Sequence, residues 1–174
     1  MKLSLVVPCY NEAENVKPFQ DAVMQAFEGC GYDYEIIYVD DGSKDRTWEL
    51  IRKKSEENAM FLGIKLSRNQ GHQNALLAGM MYACGKCECM ISMDADLQDD
   101  IQAIPAFIEK YEQGYQVVYG VRSNRETDAA FKRNTASLFY KFMNFLGAET
   151  VDNHADYRLL GNKALYALKD YKEV

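Results

Sequence analysis

Apolar residues in this chain collect in short runs that stop abruptly in polar clusters, and these runs alternate with segments of helical period. Lys2 to Pro8 is almost continuously apolar (Leu3, Leu5, Val6, Val7), the pattern of a strand buried on both faces, and Pro8 closes it. Similar runs over Tyr34 to Val39, Phe61 to Leu66, Cys87 to Met93 and Gln116 to Gly120 predict four more strands. Between them, helices are expected over Ala13 to Glu28 with Asn11 as N-cap, around Trp48, Leu50 and Ile51 with Ser43 or Asp45 as cap, and over Asn74 to Cys84. Further helices are expected over Ile101 to Gln113 and Asn162 to Tyr171. Strands alternating with helices predict an α/β fold, a mostly parallel Rossmann-like sheet with helices on both faces.

Sheets of this kind bind ligands at the carboxyl ends of their strands. Those ends carry Pro8 to Glu12, Asp40 to Ser43, Ser67 to Gly71, Asp94 to Gln98 and Gly120 to Arg122, so polar and charged residues gather on one edge. Neither G-x-G-x-x-G after the first strand nor G-x-x-x-x-G-K-[ST] is present, which excludes the two best-known phosphate loops. The chemistry concentrates instead in Met90 to Asp100. Asp94 and Asp96 are two residues apart at a strand end, so their carboxylates project to one side, and two hard oxygen donors suit Mg²⁺ or Mn²⁺ holding a diphosphate. Taken alone, an Asp-x-Asp is more often a solvated turn than a metal site, and Asp99 and Asp100 are expected to cap the following helix.

Composition narrows the field. With 174 residues and 48% apolar content the chain can bury a sizeable core. A net charge of -6 argues against a nucleic-acid partner. The charge is uneven: Val121 to Lys141 holds five basic residues and two acidic ones, the mark of an anion site in an acidic protein. Five cysteines with no signal peptide ahead of the first strand read as reduced thiols, and Cys84, Cys87 and Cys89 lack the second pair of a zinc knuckle. The apolar run Ala75 to Cys84 is too short to span a membrane, so the chain is expected to be soluble.

Together, Pro8 to Glu12, Val39 to Ser43, Asp45 to Thr47, Arg68 to His72, Asp94 to Asp99 and Gly120 to Arg122 resemble the inverting family 2 glycosyltransferases with a GT-A fold. Within them the polyprenyl-phosphate glycosyltransferases are the nearest type, and the resemblance runs from Leu3 to about Leu159. It implies that Pro8, Tyr10, Glu12, Asp40, Asp41, Asp94 and Ala95 bind the nucleotide sugar, and that Asp94, Asp96 and Gln98 hold Mg²⁺ or Mn²⁺. Arg122, Arg133 and Ser137 match the acceptor-phosphate site. Over Phe131 to Leu146 a helical register puts Arg133, Ser137 and Lys141 opposite an apolar face, which also suits a membrane surface. The stretch from Asp152 to Leu159 matches a motif near the catalytic centre and makes Asp156, with Asp96 and Arg122, a catalytic residue. It departs from that motif in His154, Ala155 and Tyr157.

The implied reaction moves a hexose, with UDP-glucose as the expected donor, to a polyprenyl phosphate in cell-envelope glycan synthesis. A saccharide hydroxyl acceptor, with Asp156 as base, is the alternative within the family. A non-catalytic sugar-nucleotide-binding module is the alternative outside it. The resemblance further implies one catalytic domain over residues 1–174, cut before C-terminal membrane-associated helices and working at the cytoplasmic face of the membrane. Homo-oligomerisation is left open.

Overall fold

The computed structural model describes residues 1–29, 31–121 and 154–170. The chain divides into two compact units, one of Met1–Val118 with Asp156–Val174 and one of Tyr119–Ala155. The described elements are β1 (Lys2–Cys9), α1 (Val16–Phe27), β2 (Asp33–Asp40), α2 (Thr47–Glu57), β3 (Phe61–Lys65), α3 (His72–Ala83) and β4 (Cys89–Ser92). A 3-10 turn (Ile101–Ala103) then leads into α4 (Ile104–Glu112), followed by β5 (Val117–Val121), β6 (His154–Gly161) and α5 (Asn162–Lys169). Arg122, Arg133, Ser137 and the helix expected over Phe131 to Leu146 lie outside the described residues.

The sheet has the order β3-β2-β1-β4-β6-β5. β1 pairs in parallel with β2 and β4, and β2 with β3, as the alternation of strands and helices requires. β6 is the departure, since no strand was expected over His154–Gly161. It runs antiparallel to β4, with Ser92 opposite Arg158 and Cys89 opposite Gly161. Tyr157, Leu159 and Leu160 are buried, whereas Asp156 and Arg158 interrupt the apolar run that would have marked a strand.

One face of the sheet packs on α3 and α5. Val6, Ile37, Val39, Met90 and Leu160 meet Ala75, Leu76, Met80 and Ala83 of α3 and Leu165 of α5. α3 lies close to β1 because Gly79 is small: a Cβ there would stand 2.3 Å from Val6 Cγ1. On the other face Phe19 of α1 packs edge-on to Tyr38, with ring centroids 6.2 Å apart, and Phe107 of α4 packs against Tyr157 at 4.6 Å. Burying each such aromatic or branched side chain contributes about 1.5–3 kcal/mol.

Helix starts differ from expectation where side chains are used across loops. α1 begins at Val16, not Ala13, and its N-cap is Asn15. Asn11 instead takes a left-handed conformation (φ 58), which asparagine tolerates. α3 starts earlier than expected, at His72 directly after Gly71 (φ 90). Pro105 lies in the first turn of α4, where its missing N–H costs nothing, and the residues before it take the tighter 3-10 form. The described cysteines, Cys9, Cys84, Cys87 and Cys89, are free. Burial pushes the Cys89 thiol up to about 12, so it behaves as an inert core residue.

Candidate active site

The strand order reverses direction between β1 and β4, and the crevice outside the carboxyl ends of such a pair is where open α/β sheets bind ligands. A cavity of about 300 Å³ lies there. Pro8, Cys9, Tyr10 and Glu12 line it from the end of β1, Asp41 from β2, Asn69, Gly71, His72 and Ala75 from the approach to α3 and its first turn, and Asp94, Ala95 and Asp96 from β4. Nearly all the residues expected to bind the nucleotide sugar are thus brought together. Asp40 is fully buried, and its Oδ1 accepts the Ser43 N–H at 3.3 Å, while its Oδ2 has no hydrogen-bond partner among the described residues. Asp41, the next carboxylate, is also buried but lines the cavity.

Side chains of the β2–α2 loop hold the neighbouring loops. Asp41 accepts the Gln70 and Gly71 N–H groups at 2.6 and 2.9 Å and so fixes the entry to α3. On the other side, Ser43 Oγ accepts the Asn11 N–H at 2.9 Å, Thr47 Oγ1 accepts the Glu12 N–H at 2.8 Å, and Asp45 Oδ2 accepts the Ala13 N–H at 3.2 Å. Asn11 Oδ1 returns a bond to the Lys44 N–H at 2.9 Å, which explains why it does not cap α1. Tyr10, 40% exposed at the cavity wall, offers a ring face to a ligand base.

The β4 side is built from charge. Burial raises the Asp94 carboxyl above the usual carboxylate range; His72 opposes the shift, while Asp99, Asp96 and Asp156 add to it by like-charge repulsion. Asp96 Oδ1 accepts the Gln98 N–H at 3.0 Å, a local turn that leaves Leu97 left-handed (φ 61). The Gln98 side chain, expected beside a metal, is exposed and not among the cavity-lining residues; only its backbone serves Asp96. Asp100 does cap the next turn, accepting the Gln102 N–H at 3.0 Å. Asp99 does not: it is buried, and its Oδ2 accepts the Asp94 N–H at 3.3 Å, which braces the metal-type turn from within. Tyr157 ties the same loop to β6 by donating its hydroxyl to the Asp100 carbonyl at 2.9 Å.

Asp156 enters from β6, immediately behind His72. Its carbonyl accepts the Ser92 hydroxyl at 2.5 Å, and its Oδ2 accepts the Gln73 amide at 3.1 Å. His72 Nε2 lies 3.3 Å from the same Oδ2 and 3.8 Å from Asp94 Oδ1, so the imidazole stands between the two carboxylates. Arg158 Nη2 is 3.7 Å from Asp156 Oδ1. His72 and Gln73 had been given no role from the sequence, although their place after β3, at the start of a helix, puts them on the ligand edge. Among the described residues, no three His, Cys, Asp or Glu side chains converge in metal-ligand geometry. The site offers instead a pair of hard oxygen donors, Asp94 and Asp96, on a cavity wall where like charges crowd, and this fits a divalent cation that takes its remaining ligands from a diphosphate and water.

A parallel sheet extended by an antiparallel strand, with a carboxylate cavity at the switch point, is the GT-A type of nucleotide-sugar transferase fold. The chain belongs to glycosyl transferase family 2, whose model matches residues 4–168. It is 46% identical over 177 residues to the uncharacterized glycosyltransferase YkoT of Bacillus subtilis (strain 168), covering 98% of this chain and 52% of that protein. It is 38% identical over 170 residues to the bactoprenol glucosyl transferase of Shigella phage SfV, covering 97% of this chain and 55% of that protein. The chain therefore spans about half the length of these relatives. Among solved structures, glucosyl-3-phosphoglycerate synthase from Mycobacterium tuberculosis, in complex with Mn²⁺, uridine diphosphate and phosphoglyceric acid, shares the fold. The TM-score is 0.63 at 18% identity, over 93% of this chain and 56% of that one.

Proposed function

We propose that this domain transfers a hexose, with inversion, from a uridine-diphosphate sugar to a polyprenyl phosphate, with glucose as the sugar. The observation that carries the reading is the convergence of Asp94 and Asp96 with the Tyr10, Glu12 and Asp41 wall in one cavity at the β1/β4 switch point. The name of the phage relative, a bactoprenol glucosyl transferase, supports both the glucosyl group and the lipid phosphate. Asp94 and Asp96 would hold Mg²⁺ or Mn²⁺, which when bound would supply charge stabilisation to the nucleotide diphosphate.

The chain's own groups do the rest. Tyr10 and Asp41 receive the nucleoside at the β1 and β2 ends. Asp156, behind His72, orients the groups at the reacting carbon. Arg122, Arg133 and Ser137 are the residues proposed to receive the acceptor phosphate. Such a phosphate oxygen is already anionic, so Asp156 has no proton to remove. In this reading residues 1–174 are one catalytic domain, acting at the cytoplasmic face of a membrane together with further chain of the kind its relatives carry.

The test is titration calorimetry of UDP, GDP and their hexose derivatives, with and without Mn²⁺, on this chain and on Asp96→Asn. Binding of the uridine compounds that requires Mn²⁺, and that Asp96→Asn reduces by about 10²-fold or more, is the expected result. Preference for a guanosine compound would overturn the donor, and equal binding without metal would overturn the role of Asp94 and Asp96.

A further inference from the structure

Asp156 is held from two sides. Ser92 donates to its carbonyl, so the backbone is fixed where β6 meets β4, and its carboxylate is met by Gln73, His72 and Arg158. Of these three only His72 lines the cavity, and Arg158 is the most distant. Gln73 is not among the cavity-lining residues, and its amide makes the shortest of the three contacts to the carboxylate, 3.1 Å to Oδ2. It sits at the second position of α3, whose entry is locked by the bonds from Gln70 and Gly71 to Asp41. The amide donor is therefore carried on a fixed helix start and not on a free loop.

We infer that Gln73 is a positioning residue for Asp156: its Nε2–H donates to Oδ2 and fixes the rotation of the carboxylate, keeping Oδ2 beside His72 at the cavity and Oδ1 toward Arg158. This rests on the reading above, in which Asp156 acts in transfer. A hydrogen bond to a charged group that sets orientation makes its difference in the chemical step, because ligand affinity depends on other residues. Gln73 is exposed, so replacing it leaves the core untouched.

Two measurements test this. In ¹H–¹⁵N spectra of the metal-free protein, the Gln73 side-chain amide is expected to lose its hydrogen-bonded shift in Asp156→Ala; an amide that does not respond overturns the contact, whether or not the protein turns over. In turnover of UDP-glucose with a polyprenyl phosphate, Gln73→Met is expected to lower kcat about tenfold to a hundredfold, with KM for the donor within twofold of the parent. Gln73→Arg, which keeps a donor, is expected to recover most of that loss. In an Asp156→Asn background Gln73→Met is expected to cost little more, since the two act as one unit. The full loss appearing again in that background would overturn the positioning role and leave the transferase reading intact. Full turnover by Asp156→Asn itself would overturn the assignment of Asp156, and the inference with it.

Discussion

The two walls of the cavity are built on opposite physical plans. The wall from β1, β2 and β3 is held by short hydrogen bonds between loops: Asp41, Ser43, Asp45 and Thr47 receive backbone N–H groups from Gln70, Gly71, Asn11, Glu12 and Ala13. Each bond satisfies a donor that a strand or helix end leaves over, so binding geometry and stability come from the same atoms. The wall from β4 and β6 gathers Asp94, Asp96, Asp99 and Asp156 with His72, and burial together with like charge makes Asp94 harder to ionise. At neutral pH the ionised Asp94 is a cost to folding, which a bound cation would offset. One wall is joined by hydrogen bonds between loops; the other gathers like charge around Asp94.

The largest effect predicted from this contrast falls on the first wall, at Gly42. Its φ of +68 is a left-handed turn, and a Cβ there would lie 2.6 Å from both Arg68 C and Asn69 N, backbone atoms that cannot swing aside. Gly42→Ala is therefore expected to destabilise the protein by about 3 kcal/mol, through backbone strain and displacement of the loop that Asp41 holds. Urea denaturation measures it. A loss below about 1 kcal/mol would mean that the β2 and β3 loops are not rigidly joined, and the contrast would fail on its first term.

What the sequence disclosed follows the same division. The strands of the first wall were legible because each is an apolar run stopped by polar residues, which put Pro8 to Glu12 and Asp41 on the ligand edge, and the family resemblance then implied their role. Asp40 and Asp41 look alike in sequence; both are buried, and of the two it is Asp41 that lines the cavity. Asn11 and Asp99 are favoured as helix caps by local preference; a tertiary contact takes Asn11, which accepts the Lys44 N–H, and a bond within the loop engages Asp99, which accepts the Asp94 N–H. β6 was hidden because Asp156 and Arg158 break its apolar run, and with it went the pairing that brings Asp156 beside His72 and Gln73, 83 residues away from Gln73 in sequence.

On the second wall the predicted sign reverses. Asp94 is raised because burial and its acidic neighbours disfavour the ionised form. A carboxyl raised by folding contributes stability while protonated, below its ordinary range, and that contribution is lost as pH rises through the raised value. At pH 7 the ionised group is thus a cost, and in metal-free protein Asp94→Asn is expected to stabilise by about 0.5–1 kcal/mol, a modest figure because the side chain is 40% exposed and screened by solvent. The gain should shrink as pH falls towards 4. The same variant is expected to lose Mn²⁺-dependent nucleotide binding. Destabilisation in the absence of metal would show that Asp94 is a structural group, and the contrast between the walls would disappear.

The smallest effect belongs to Asp45, and its value lies in having the opposite pH dependence. Burial acts to raise this carboxyl, but the bonds from the Thr47 hydroxyl, the Thr47 N–H and the Ala13 N–H outweigh it and hold it below the usual range. A carboxyl lowered by folding contributes stability above its ordinary range, and the contribution is lost as pH falls through the lowered value. Because Asp45 is exposed, Asp45→Asn is expected to cost only about 0.5 kcal/mol at pH 7, since the amide oxygen still accepts a bond and solvent screens the lost charge. Urea denaturation of both variants at pH 7 and near pH 3 provides the comparison. The cost of Asp45→Asn should shrink as pH falls through the lowered value of the parent carboxyl, while the gain from Asp94→Asn shrinks as pH falls through the raised value of that carboxyl. An Asp45→Asn cost that persists unchanged at low pH would place its contribution in shape and not in charge, and the first wall would then owe its rigidity to packing of the loops more than to the carboxylates that join them.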